Sequence, residues 1–368
     1  MPAKGDGITK RKDGRYMARY TVHTPDGPKR KVIYDRKYKE VEKQLNEARG
    51  ITYDAGNITV GEYLTEWVSD SDSARDTVRQ RTYERYESIV RVHLAPALGR
   101  VKLKALTPAH VRGLYREKLD SGLSPRSVLH IHRTLSKALK QATDDGGLIP
   151  RNVAAPVKPP RPRREEIRLL NHQQVQALFE TAREDRLEAL YVVAVTTGLR
   201  RGELQGLKWE DLDLEAGTLQ VRRTLSEPRG GYIFEAPKSG KGRNIRLTQR
   251  AVAALREHRK RQLEERMQHA GLWQDHGLAF PSQVGTPLSG GNLNRSFKAT
   301  LQRACLPEIR FHDLRHTCAT ILLRQGVNPK FVQELLGHAD ISLTLNVYSH
   351  VLPDMGAAAA EAMDAALG

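Results

Sequence analysis

Only two of the 368 residues are cysteine, Cys305 and Cys318. That is too few for a disulfide framework or a four-thiolate zinc site. A reducing compartment suits such a chain, and the cytoplasm is the simplest expectation. No uninterrupted apolar run approaches the roughly 18 residues that a bilayer span needs. The opening stretch MPAKGDGITKRKDGR carries charge with no apolar run behind it, unlike a secretory leader. Aromatic residues are sparse at 6%, and apolar residues make up 39%. That content supports real cores, divided at roughly 100–200 residues each into two or three domains. Acidic residues are also in deficit, 43 against 60 Lys and Arg, for a net charge of +17. A field of that sign favours a polyanion, so nucleic acid is the expected partner before any motif is considered. A secreted disulfide scaffold, a membrane protein and a collagen-like chain are excluded.

The positive charge is uneven. Residues 1–39 hold 12 Lys or Arg against 4 acidic residues. Within them Arg15 to His23 alternates as a strand does. The turn Thr24-Pro-Asp-Gly-Pro28 follows, then the basic strand Lys29 to Tyr34. Residues 36–49 read as a short helix with Val41, Leu45 and Ala48 on one side. A small sheet backed by one helix results, and its strands could lie in a major groove. Residues 58–150 read as a compact helical unit. Val60, Tyr63, Leu64 and Trp67 share a face of the first helix, and a second runs from Thr77 to Val90. Residues 93–100 read as a turn. Thr107-Pro108 and Ser124-Pro125 each open a further helix with a capping residue and a first-turn proline. Arg79, Arg81, Arg85, Lys102 and Arg126 are placed to meet phosphates. The run Val157 to Arg164 is basic and proline-rich, hence extended. A larger mixed helical region follows from about residue 168.

Five polar landmarks mark that region. The string Ala194 to Leu204 ends one helix at Gly198 and starts another near Arg200. Glu203 shares a face with Arg200. Taken alone, this reads as a structural ion pair. Next, two strands flank a Gly- and Lys-rich turn across 233–247, whose lysines could reach into a site. His312 and Arg315 lie three apart on one helical face, with His316 less well placed. His338 follows Leu335-Leu-Gly, and Tyr348 comes ten residues later. The histidine spacings match no zinc pattern and no carboxylate cluster accompanies them, so no metal and no cofactor are expected. The set suits phosphoryl chemistry without a metal. Arginines clamp non-bridging oxygens, a tyrosine hydroxyl attacks phosphorus, and a lysine protonates the leaving oxygen. Tyrosine's ordinary pKa of about 10 must be offset, and cationic neighbours favour the phenolate.

Together these strings resemble the tyrosine recombinase, or phage integrase, family. They are TTGLRRGELQGLKWEDLDL at 196–214, PKSGKGRNIRL at 237–247, FHDLRHTCAT at 311–320 and LLGHADISLTLNVYSHV at 335–351. The resemblance is close over 165–355 and looser over 58–150, which is similar to the family's core-site-binding domain. Residues 1–50 resemble the arm-site-binding domain of integrases from phages and integrative elements. The resemblance implies a multidomain α+β fold. Residues 1–55 would be a three-stranded sheet with a helix that binds arm-site DNA, and 56–155 a helical, SAM-like core-binding domain. Residues 156–167 would be a basic linker, and 168–368 a mixed, mainly helical catalytic domain with a tail helix.

It also implies roles. The catalytic set falls on Arg200, Lys238, His312, Arg315, His338 and Tyr348, with Glu203 supporting Arg200. Lys241 is the alternative to Lys238 as general acid. Contacts to double-stranded DNA attachment sites would fall on Arg15, Arg19, Lys29, Arg30, Lys31, Arg79, Arg81, Arg85, Arg126, Lys158, Arg161, Arg163 and Arg164. The implied activity is site-specific cleavage and rejoining of DNA through a 3′-phosphotyrosyl intermediate and a Holliday junction. A homo-tetramer would carry it out to integrate and excise a mobile element. A host bending factor and an excision directionality factor are possible further partners, and no membrane is involved. A chromosome-dimer-resolving or transposon-type recombinase is the alternative reading, and a type IB topoisomerase a more distant one.

Overall fold

The computed structural model describes residues 8–11, 13–24, 27–38, 40–41, 44–45, 57–69, 78–144, 148–163, 168–183, 185–237, 242–337 and 355–368, with side chains left out at 21–31, 355–359 and 362. The chain divides into two compact units, 1–164 and 165–368.

The first unit opens with the alternating run read from the sequence. Strands β1 (Ile8–Lys10), β2 (Tyr16–Thr24) and β3 (Gly27–Asp35) form an antiparallel sheet in that order. Ala18 is paired with Ile33, and Arg19 with Val32. Because successive side chains alternate, one face is apolar. Ile8 and Ala18 are buried with Val41 and Leu45, beside half-buried Tyr16, Tyr20, Ile33 and Tyr38. Residues 38, 40–41 and 44–45 are helical, and Ala48 lies outside the described residues. The opposite face leaves Arg19, Val32 and Tyr34 exposed. Arg11 and Arg15 stack on the Tyr34 ring at 5.3 and 5.9 Å.

The helical part has its own core. Helix α1 (Val60–Ser69) buries Val60, Tyr63, Leu64 and Trp67, as their spacing requires. Helix α2 (Gln80–Ile89) continues through a π-helical turn (Val90–Leu94) into α3 (Ala95–Leu98). This replaces the turn expected over 93–100. Pro96 falls in the first turn of α3, where the structure tolerates a missing N–H. The π turn keeps Val90, Leu94 and Leu98 all buried. Helix α4 (Pro108–Asp120) begins with the expected cap. Thr107 Oγ1 accepts from His110 N at 3.4 Å, and Thr107 N–H donates to His110 Nδ1 at 3.2 Å. Helix α5 (Pro125–Asp144) buries Val128, Ile131, Leu135, Ala138 and Leu139. Ile149, Ala154 and Val157 close the same core. Residues 158–163 are neither helix nor strand.

The second unit is built around a rod. Helix α7 (Glu188–Thr197) is apolar on all sides and buried along most of its length, the pattern of a central helix. It is preceded by α6 (His172–Thr181) and followed by α8 (Arg201–Gln205). Helices α9 (Gln249–Gln268) and α11 (Asp313–Arg324) pack on it. Helix α10 (Gly290–Arg303) contributes Phe297, whose ring lies 5.6 Å from Tyr191 and 5.4 Å from Phe311. Helix α12 (Pro329–Leu336) packs on α11 through Val332, Leu336, Ala319 and Leu323. The alanine-rich tail forms α13 (Met355–Leu367), with Gly356 inside its first turn rather than before it.

The two strands expected to flank the lysine turn are present but do not pair with each other. Strand β8 (Arg243–Arg246) pairs with β5 (Thr218–Val221), which also pairs with β4 (Leu212–Asp213). Strand β7 (Ile233–Glu235) pairs with β6 (Thr224–Ser226) in a separate ladder. Strand β6 instead lies close against Gly202 and Gly206. A Cβ on Gly202 would sit 2.5 Å from Thr224 Oγ1, and one on Gly206 would sit 2.9 Å from Leu225 N. Their missing side chains let β6 lie directly on α8. No helix among the described residues is long and apolar enough to cross a membrane.

Candidate active site

The start of α8 places the first pair. Helix α7 ends at Gly198 in the left-handed region (φ 63°), which glycine adopts without the Cβ penalty. A Cβ there would lie 2.4 Å from Leu336 Cδ2, so α7 can meet the end of α12 only through a glycine. Two residues on, Arg200 is the N-cap of α8. Its backbone N–H donates to Glu203 Oε2 at 2.9 Å, and its Nη1 to Glu203 Oε1 at 2.8 Å. Glu203 is buried, and burial alone would raise its pKa. Hydrogen bonds and charge from Arg243 and Arg200 outweigh that and hold the carboxylate below its ordinary value. It is therefore ionised at neutral pH.

Arg315, on α11, is 3% exposed. It donates through Nη1 to the Gly198 carbonyl at 2.7 Å and through Nη2 to the Leu336 carbonyl at 2.6 Å. Arg200 Nη2 donates to the next carbonyl, Gly337, at 2.9 Å. Arg243 Nε donates to the one before, Leu335, at 2.8 Å. Three consecutive carbonyls at the end of α12 thus each receive an arginine. These are carbonyls that a helix terminus leaves without internal partners, at the negative end of its dipole. Gly337 is itself left-handed (φ 64°), and a Cβ on it would lie 3.0 Å from Arg243 Nη1.

His312 is the N-cap of α11, one turn before His316. Their rings meet edge to face at 5.4 Å. His312 is exposed in area but crowded by protein. That crowding, then the charges of His316, Arg315 and Arg200, holds its pKa near about 4. The imidazole is therefore neutral at pH 7 and able to accept a proton. Asp313 beside it is occupied by Arg310, whose Nη2 donates at 2.9 Å. Cys318 is buried against Gly198 and its thiol is pushed up to about 12, so it is inert at neutral pH.

The structure therefore gathers Arg200, Glu203, His312 and Arg315 at the end of α12, directly before position 338. Lys238, Lys241, His338 and Tyr348 lie outside the described residues. Two neighbours were not singled out in the sequence. One is Arg243, whose link to Glu203 spans 40 residues. The other is His316, set aside there as adjacent, yet in ring contact with His312. No group of three or more His, Cys, Asp or Glu placed to hold a metal occurs among the described residues. Of the basic residues assigned to DNA, Arg15, Arg19, Arg79, Arg81, Arg85, Arg126, Lys158, Arg161 and Arg163 are exposed. Lys29, Arg30 and Lys31 lie on β3 with only their backbone described, and Arg164 lies outside. Arg85 and Arg126 share one neighbourhood with Arg133, a residue the sequence did not single out. Burial, then these three charges, depress the pKa of His130.

The model of the phage integrase family matches residues 168–355, and that of the phage integrase N-terminal SAM-like domain matches 59–119. A tyrosine recombinase XerC-like protein of Caldanaerobacter subterraneus subsp. tengcongensis is 29% identical, covering 98% of this chain and 99% of that relative. An integrase of Streptomyces ambofaciens is 30% identical over 87% of this chain and 83% of its own length. Among solved structures, the Tn1549 transposon integrase in complex with a circular intermediate DNA superposes with a TM-score of 0.70 at 24% identity. It covers 83% of this chain and 99% of that one. A lambda integrase tetramer bound to a Holliday junction gives 0.60 at 20% identity, over 91% and 96%. The structural likenesses carry the α+β fold. The family match spans the α6–α12 region that holds every described member of the arginine and histidine cluster. The chain belongs to the phage integrase family and is a tyrosine recombinase, a site-specific DNA strand transferase.

Proposed function

We propose that this recombinase is the integrase of a mobile element, and that Tyr348 is its nucleophile. The Tyr348 hydroxyl oxygen attacks the scissile phosphorus. The bond from phosphorus to the 5′ oxygen breaks, and its electron pair leaves on that oxygen. Lys238 gives the leaving oxygen a proton, producing a free 5′-hydroxyl and a 3′-phosphotyrosyl ester. Arg200, Arg315 and His338 neutralise the charge that gathers on the non-bridging oxygens. Neutral His312 takes the tyrosine proton. The 5′-hydroxyl of a partner strand then reverses these events. The ester conserves the bond energy, so the step needs neither ATP nor a divalent ion. Four copies on paired attachment sites would exchange one strand pair, pass through a Holliday junction and exchange the other.

One observation supports this most. Arg200 and Arg315 are 115 residues apart in sequence, yet they donate to adjacent carbonyls at 336 and 337, and both act on His312. Two guanidiniums and a neutral imidazole thus lie in one neighbourhood beside position 338, the kind of set that can receive a phosphate. The basic sheet of residues 8–35 favours an integrase over a simpler dimer-resolving recombinase, because its face with Arg19 and Tyr34 is not spent on the core. The test uses a nicked duplex that traps the covalent intermediate. Its core sequence is selected by the wild-type protein from a random-sequence pool. Wild-type protein should give a protein–DNA adduct on a denaturing gel, with or without a chelator. Tyr348→Phe should bind the duplex and give none. A normal adduct yield from the variant refutes the assignment.

A further inference from the structure

The Arg200–Glu203 pair has a third member. Arg243, at the start of β8, donates through Nη2 to Glu203 Oε2 at 2.8 Å and through Nη1 to Oε1 at 3.2 Å, while its Nε reaches the Leu335 carbonyl at 2.8 Å. Both oxygens of one carboxylate are thus gripped by a planar fork, the geometry that guanidinium provides and an ammonium does not. The Glu203 side chain is 1% exposed and that of Arg243 is 12% exposed, so neither charge is screened by bulk water. The arrangement is exacting on the α12 side too, because Gly337 leaves the room in which the guanidinium lies.

We infer that Arg243 is a positioning residue for strand cleavage: it shares the charge of Glu203 so that Arg200 is anchored in place yet keeps its own charge for the scissile phosphate.

A buried carboxylate with a single cationic partner draws fully on that partner. If Arg200 were alone, its positive charge would be matched by Glu203 and little would remain for a developing phosphorane. With Arg243 present, one carboxylate faces two guanidiniums, and the trio keeps a net charge of one unit beside the reacting group. The same fork ties β8 to the end of α12. The strand that leaves the lysine-bearing turn and the helix that leads to His338 are therefore fixed to one another through one side chain. Arg243 has no need to touch DNA for either effect.

This inference rests on the reading of Arg200 as a phosphate clamp, and the experiment separates the two. Full-length protein is assayed on the nicked duplex at saturating DNA, so that the cleavage rate is read apart from binding. Wild-type protein that forms no adduct would remove the recombination reading itself, whatever Arg243 does. Given a working wild type, Arg243→Met should slow cleavage on the order of 10²-fold, the scale set by displacing a catalytic group by about an ångström. Duplex affinity should stay near wild type, and Arg243→Lys should lose less. The decisive reading is a cycle with Glu203→Gln. If Arg243 acts through the Glu203 charge, its removal should cost much less in the Glu203→Gln background than in the wild type. The acid limb of the pH–rate profile should also move upward in Arg243→Met, because Glu203 then loses the partner that keeps it ionised. That upward movement should not appear when Arg243→Met is made in the Glu203→Gln background. Wild-type cleavage by Arg243→Met overturns the inference. So do losses that add within about a factor of two across the cycle, or a loss of affinity and melting temperature that accounts for the whole effect. If Arg243→Met does not fold, Arg243→Lys enters the same cycle with the same criteria.

Discussion

At the scale of single residues, the site is governed by how few acceptors serve many cations. Among the described residues, buried Glu203 is shared by Arg200 and Arg243, while three carbonyls of α12 and that of Gly198 accept further hydrogen bonds from the arginines. His312 lives in the resulting field. Crowding, then its cationic neighbours, places its folded pKa near about 4, below the ordinary 6.5. The unfolded chain therefore binds a proton at this position between those values, and the folded chain does not. Stability from this residue is fully present above pH 6.5 and is lost as pH falls toward the folded value. In an NMR titration of the DNA-free protein, the His312 imidazole should not titrate between pH 8 and 5.5. His312→Gln should lessen the fall in melting temperature across the acid part of that range. A midpoint near 6.5 would show that crowding and the neighbouring cations do not depress His312.

At the scale of elements, the site is a meeting of helix ends. The C-terminus of α7, the N-termini of α8 and α11 and the C-terminus of α12 converge, and both C-termini end in a left-handed glycine. Gly198 is the tightest of these. Alanine there would carry a Cβ in a left-handed conformation, pressed against the buried Leu336 side chain. Gly198→Ala should lose about 2–5 kcal/mol, from roughly 1–2 for the backbone and 1–3 for overpacking. It should also displace the carbonyl that Arg315 uses. Denaturant unfolding reads the first effect and the cleavage rate the second; a variant as stable and active as wild type would contradict the convergence. Much of this was legible in the sequence. Gly198 read as a helix stop, Arg200 with Glu203 as a pair one turn apart, and His312 with Arg315 as a shared face, because those relations repeat with the helical period. The link from Arg243 to Glu203 was not, since no period connects residues 40 apart. Strand pairing failed for the same reason. Alternation tells which face of a strand is buried, not which strand it meets, and β8 pairs with β5 rather than with β7. Likewise, residues 93–100 read as a turn, whereas a π turn at 90–94 carries the helix on into α3.

At the scale of the whole molecule, the charge of +17 is divided among separate cores. The sheet of residues 8–35 buries Ile8, Ala18, Val41 and Leu45 apart from the cluster that runs from Ile58 to Val157. Removal of residues 1–55 should therefore leave the helical and catalytic parts folded, and core DNA should still be bound and cleaved. Binding to longer duplexes carrying distal arm sites should weaken. Its salt dependence should become shallower in proportion to the number of phosphates that the sheet neutralises. Equal weakening on core-only and arm-containing duplexes, with the two salt slopes in an unchanged ratio, would make the sheet a general electrostatic aid and favour the simpler recombinase. The central claim, that Tyr348 carries the DNA through an ester to its 3′ phosphate, is tested most directly by peptide mapping of the trapped adduct. No Lys or Arg follows Lys330, and Tyr348 is the only tyrosine beyond it. After nuclease and trypsin digestion, the 331–368 peptide should carry the nucleotide remnant, with fragmentation placing it on Tyr348. A remnant on any other residue, or on a peptide outside 331–368, would contradict the account.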